Sequence, residues 1–188
     1  MDTEELGRSR FLNIFFKLGG VAMESRLRRW FMNPERMLHA GGLDSGQTAL
    51  EVGSGSGFFT VPAAEMIGPR GRLIAMEPLS GFADRVRRKV QGAGLENVEV
   101  VQRDALKTGL EDACIDIALL YGVVPFPTLP LERLLPEMYR VLKADGRLAV
   151  WLFPAPAGVP SAIMRSGLFT DLGKKDGIYR YGRTEPAA

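Results

Sequence analysis

One cysteine and one histidine, Cys114 and His39, are all that the 188-residue chain has of either residue. A lone cysteine cannot close an internal disulfide, and Cys114 opens an apolar run, so it reads as a small buried hydrophobe in a reducing, cytoplasmic setting. Without pairs of such residues at ligand spacing, no metal site is expected. His39, alone on a predicted helix, reads as a surface or packing residue rather than a base. Charge of one sign is scarce too: 24 Lys and Arg oppose 22 Asp and Glu, a net +2. That excess is too slight for a nucleic-acid surface. The one basic run, RVRRK over residues 85–89, reads as the solvated face of a helix whose Phe82, Val86 and Val90 turn inward at four-residue spacing. Long hydrophobic runs are also missing. The best candidate, FLNIFFKLGGVAM from Phe11 to Met23, is too short to span a bilayer and is broken by Lys17 and two glycines, while Asp2, Glu4 and Glu5 ahead of it spoil a signal peptide.

What the chain does have is apolar residues, 46% of the total, enough for one domain with a sizeable core. Strand-like runs alternate with helical ones, which predicts parallel βαβ units and a doubly wound α/β sheet covered on both faces. Strands are expected over residues 48–52, 72–77, 98–103, 115–120 and 147–153, and helices over 58–67, 80–93 and 131–142. Asn33 is placed to cap a helix starting at Pro34, with Met37, Leu38 and Leu43 facing inward. Gly68 to Gly71 and Ala144-Asp145-Gly146 read as turns, and Asp176-Gly177 as the tight turn of a C-terminal hairpin.

The most informative stretch is ALEVGSGSGFFT, Ala49 to Thr60: an apolar strand, a carboxylate at Glu51, then glycines at 53, 55 and 57 opening a helical pattern. Residues without a Cβ allow unusual backbone angles and close approach of the backbone to a ligand, so a nucleotide or nucleoside pocket is expected. The dinucleotide fingerprint G-x-G-x-x-G is not matched, because Phe58 stands where its third glycine would fall. Glu51, two residues before the first glycine, would oppose a pyrophosphate but could hold an ammonium group. Open α/β sheets bind ligands beyond the carboxyl ends of their strands, and Glu51, Glu77, Asp104 and Tyr121 all fall at such ends.

With these features in order, the chain resembles the class I S-adenosylmethionine-dependent methyltransferases over roughly Asn33 to Arg183. The resemblance implies a Rossmann-like, mostly parallel seven-stranded sheet with helices on both faces and a C-terminal antiparallel hairpin. It also implies S-adenosylmethionine as cofactor, held at its methionine end by Glu51, Gly53, Ser54, Gly55 and Gly57, at its ribose by Glu77 with Pro78 beside it, and at its adenine by Asp104 and Ala105. Asp116, opening the fourth strand, matches a position with a structural role. Several cysteines, a cysteine nucleophile in the family's other setting and the Asn/Asp-Pro-Pro-aromatic motif are all missing; the last is replaced by YGVVPFPTLP. Arsenic, cytosine C5 and amide or adenine nitrogens are thereby disfavoured as acceptors.

Tyr121 is placed to line the junction of cofactor and acceptor, as an aromatic wall or, less favoured, as a proton-transfer group. Residues 1–47 are expected to form a helical cap or lid over a domain of residues 48–188, with a peripheral membrane contact through residues 11–32 as the alternative. The expected activity is methyl transfer to a small or apolar acceptor, with no nucleic-acid partner. A nicotinamide-dependent oxidoreductase and a non-catalytic S-adenosylmethionine-binding protein are the alternatives.

Overall fold

Continuous apolar runs make the four inner parallel strands, because a strand buried on both faces has no polar side to alternate with. The computed structural model describes residues 32–153 and 158–184. Of the cap expected over residues 1–47, residues 1–31 lie outside the described residues, as does most of the segment considered for membrane contact. In chain order the elements are α1 (Pro34–Gly41), β1 (Thr48–Val52), α2 (Thr60–Ile67), β2 (Arg72–Met76), α3 (Ser80–Gly92), β3 (Val98–Val101), a 3-10 turn (Ala105–Lys107), β4 (Ile115–Tyr121), α4 (Leu131–Val141), β5 (Leu142–Trp151), α5 (Val159–Arg165), β6 (Phe169–Lys175) and β7 (Ile178–Arg183). They form one seven-stranded sheet in the order β3-β2-β1-β4-β5-β7-β6. The pairs from β3 to β5 are parallel, and β7 runs antiparallel to both β5 and β6.

The core lies on both faces. One layer gathers Leu50, Ile74, Leu120, Leu134, Met138 and Leu148 beneath α4; the other gathers Leu38, Ala63, Ile67, Leu73, Ile117 and Ala149 beneath α1 and α2. Asn33 caps α1, its Oδ1 accepting from Arg36 N at 2.8 Å, and Leu38 and Leu43 are fully buried as the spacing predicted. In α3 the residues that face inward are Ala83, Val86 and Val90, leaving Arg87 and Arg88 exposed. Asp176 and Gly177 take left-handed φ values of 47° and 84°, the geometry of a two-residue hairpin turn.

Several boundaries differ from expectation: β3 ends at Val101 rather than 103 and β5 at Trp151 rather than 153, and two further differences have a clear cause. The residues Ala144-Asp145-Gly146 do not separate helix from strand; α4 runs directly into β5, and these residues form a bulge inside it, between the pairs Ile115↔Leu142 and Ile117↔Arg147. A Cβ on Gly146 would meet the Lys143 carbonyl at 2.8 Å, so the loop-out is too tight for a side chain. The helix expected from Phe58 starts at Thr60, because Gly55 and Gly57 hold left-handed backbone up to its edge. Asp116 has the structural role implied for it: it accepts from Thr48 N and from Lys143 Nζ, each at 2.7 Å, tying β1 and the bulge to β4. Among the described residues no helix is long and apolar enough to cross a membrane.

Candidate functional site

β1 lies between β2 and β4, so the strand order reverses around it and a crevice opens beyond the three carboxyl ends. The chain leaving β1 folds across this crevice. Gly53 N and Ser54 N both donate to the Met76 carbonyl, at 2.8 and 3.1 Å, which lays the glycine loop over the end of β2. Gly53, Gly55 and Gly57 have φ of 69°, 53° and 76°. Their spaces differ: a Cβ on Gly53 would stand 2.5 Å from Val123 Cγ1, whereas one on Gly55 would meet only the Gly53 carbonyl, at 3.9 Å. Gly53 therefore permits contact with the chain leaving β4, and Gly55 keeps bare backbone beside open space.

Two carboxylates flank the loop. Glu51, 3% exposed, accepts from Thr60 Oγ1 at 2.6 Å through Oε2. Glu77, 4% exposed, accepts from Gly55 N at 2.8 Å and from Leu79 N at 3.0 Å. Burial raises the Glu51 carboxyl to about 7, against the Thr60 hydrogen bond and with a further push from the Glu77 charge. Burial also raises Glu77, opposed by its two backbone donors. Neither carboxylate has an ion-pair partner among the described residues. Buried carboxylates without a cation favour a positively charged ligand. The Ser54 and Ser56 hydroxyls, also buried on the loop, have no hydrogen-bond partner among the described residues. A molecule carrying an ammonium, a sulfonium and several hydroxyls fits this set of donors and acceptors.

One strand further out, Asp104 caps the 3-10 turn by accepting from Leu106 N at 2.9 Å, and Ala105 is buried behind it. This turn is held from below: Glu137 accepts from Thr108 N and from its hydroxyl, at 2.8 and 2.5 Å, while Arg140 clasps Glu137 through Nε and one terminal nitrogen, at 3.0 and 2.8 Å. Pro78 follows Glu77, half-buried.

Tyr121, ending β4, turns its hydroxyl towards α1. Its ring packs edge-on to Phe59 with centroids 5.0 Å apart, and its hydroxyl donates to the Met37 carbonyl of α1 at 3.0 Å. Burial pushes the phenol further above its ordinary pKa, away from any use as a base. The hydroxyl is committed to this contact with α1. A large open groove of about 760 Å³, lined by Glu65, Arg72, Asn97 and Glu99, lies at the amino ends of β2 and β3, remote from all of these residues.

Residues 49–146 match the family described as a methyltransferase domain. The chain belongs to this methyltransferase family. Its fold and glycine loop are those of the class I, S-adenosylmethionine-dependent branch. It is 35% identical over 89 residues to a protein-L-isoaspartate O-methyltransferase of Methanococcus maripaludis, covering 47% of this chain and 41% of that one. It is 30% identical over 108 residues to a demethylmenaquinone methyltransferase of Lactobacillus johnsonii, covering 56% and 43%. The chain thus spans half or less of the length of the curated relatives it matches. The crystal structure of a SAM-dependent methyltransferase from Aquifex aeolicus superposes with a TM-score of 0.71 at 23% identity, covering 88% of this chain and 96% of that one, a likeness of fold.

Four residues of this methyltransferase domain that bear on the site escape a reading of the sequence. Thr60 orients Glu51 from nine residues on, Lys89 donates to the Ser56 carbonyl at 2.7 Å, and Val123 fills the space beside Gly53. Thr60 carried a local signal, a hydroxyl on the first turn after the loop; the other two depend on tertiary contact. The fourth is Trp151, at the end of β5, whose ring stacks on Phe153 two residues later, just beyond the strand.

Proposed function

We propose that this protein transfers a methyl group from S-adenosylmethionine to a small or apolar acceptor, in a reducing, cytoplasmic compartment. The observation that carries the reading is the pair of buried carboxylates without cations, Glu51 and Glu77, at adjacent strand ends beside left-handed glycines. The cofactor, when bound, supplies an already activated methyl group on a positively charged sulfur. This chain's residues then have to bind, orient and keep water out. Glu51 would hold the ammonium, with Thr60 fixing its second oxygen; Gly53, Ser54, Gly55 and Gly57 would offer backbone along the methionine portion. Glu77, beside Pro78, would accept the ribose hydroxyls, and Asp104 with Ala105 would flank the adenine. Tyr121 would wall the cofactor pocket and hold α1 against it. The geometry supports no general base on Tyr121.

Two features weigh against a nicotinamide-dependent oxidoreductase: Phe58 in place of a third glycine, and a buried carboxylate at Glu51 that would repel a pyrophosphate. Residues 1–47 are proposed to include a lid over the site. Contact of residues 11–32 with a membrane is the alternative, which binding to anionic liposomes would establish and its absence reject. Isothermal calorimetry with S-adenosylmethionine and S-adenosylhomocysteine, followed by transfer of a labelled methyl group to an acceptor panel, tests the function. Heat with neither compound refutes it.

A further inference from the structure

Resting on the methyltransferase reading, we infer that Trp151 and Phe153 form a stacking platform that takes a neutral, planar aromatic acceptor. The two rings are stacked, centroids 5.5 Å apart with 24° between their planes. Trp151 also meets Phe59 edge-on at 6.4 Å, and Phe59 in turn meets Tyr121. This row of rings starts in the core and ends on Phe153, which is 60% exposed. A single exposed phenylalanine is ordinary. What distinguishes this one is that its stack is packed, residue by residue, against the glycine loop.

Two glycines make this packing possible. Gly122 N donates to the Trp151 carbonyl at 2.9 Å, and a Cβ on Gly122 would stand 3.2 Å from Cζ3 of the indole. Its neighbour Val123 lies against Gly53, where a Cβ would come within 2.5 Å. The platform is therefore continuous with the edge of the proposed cofactor site, one residue beyond β4. Charge argues for the ring as well. No charged residue occurs from Ile117 to Leu131 or from Leu148 to Phe153, the stretches that carry the chain along and beyond the ends of β4 and β5. An acceptor carrying a carboxylate would need charge-assisted donors that these stretches do not offer, whereas a ring needs only a flat apolar face. In the transfer itself, a nucleophilic carbon or oxygen on the ring supplies the electron pair for the new bond to the methyl carbon. The carbon–sulfur bond breaks, leaving a neutral thioether, and the displaced proton passes to water.

The test uses the full chain with S-adenosylhomocysteine and 1-naphthol as binding probe. Phe153→Ala should weaken naphthol binding by about fivefold or more, Phe153→Trp should retain it, and both variants should bind S-adenosylmethionine as the unmodified protein does. Methyl transfer to a naphthoquinol, with none to an isoaspartyl peptide, is the matching activity result. Equal naphthol affinity in Phe153→Ala, no naphthol binding at all, or transfer to the peptide alone would overturn the platform while leaving the methyltransferase standing. Absence of S-adenosylmethionine binding by the unmodified protein would overturn the underlying reading, and the platform with it.

Discussion

Replacing Glu51 by glutamine should make the ligand-free protein more stable at pH 8 and leave it nearly unchanged at pH 4. The carboxyl is 3% exposed and raised from 4.5 to about 7 in the folded protein. Below 4.5 it is protonated in both folded and unfolded chains and contributes nothing to the difference. Between 4.5 and 7 the folded state keeps a proton that the unfolded state has lost, so stability falls as pH rises through this window. Above 7 the full penalty of a buried charge is present. A displacement of this size corresponds to about 3 kcal/mol. Glutamine keeps the acceptor for the Thr60 hydroxyl and removes the charge, so the difference between the two proteins isolates this one group. Urea unfolding of both at pH 4, 6 and 8 reads it out. The same carboxylate predicts the pH dependence of cofactor affinity. An ammonium seated on Glu51 needs it ionised, so affinity should climb about tenfold per pH unit below 7 and level off above it. Calorimetry should find that slope lost in the glutamine variant. Parallel stability curves and parallel affinity curves for the two proteins would refute the reasoning.

Glu77→Ala should weaken S-adenosylmethionine binding by about 1.5 to 3 kcal/mol through loss of charge-assisted hydrogen bonds, measured by calorimetry. Gly55→Val should abolish cofactor binding while leaving the circular dichroism spectrum in place, since φ is 53° there and the side chain would project beside the open backbone. Tyr121→Phe should reduce stability by about 1 kcal/mol through loss of the bond to the Met37 carbonyl, and should leave the pH profile of methyl transfer unmoved. Glu137, lowered to about 2 by Arg140 and then by Thr108, stabilises the fold above its ordinary carboxyl range and loses that contribution as pH falls towards 2. After allowance for solvent screening, Glu137→Gln should remove about 1 kcal/mol at pH 7 and little at pH 2 in urea unfolding.

The strands β1, β2 and β4 were legible because each is an apolar run ended by a charged or glycine residue, and the hairpin because Asp176-Gly177 suits only a tight turn. The bulge in β5 was not, since Asp145-Gly146 has the same local preference whether it ends a helix or loops out of a strand. The carboxylates were legible by position at strand ends. Their hydrogen bonds were not: which oxygen Thr60 or Gly55 would occupy depends on how the loop falls over β2. The direction taken by Tyr121 was beyond reach for a similar reason. Its partner is a carbonyl 84 residues earlier in the chain.

That link belongs to a wider arrangement with a consequence for biosynthesis. α1 packs between α2 and β7, and Arg36 grips Asp176 at the hairpin turn through two hydrogen bonds, 140 residues away in sequence. The apolar side of this early helix finds its full cover only when the final strand has left the ribosome. A chain cut short anywhere before β7 would therefore carry α1 without one of the two elements that cover it, open to capture by chaperones or proteases however well the glycine loop had formed.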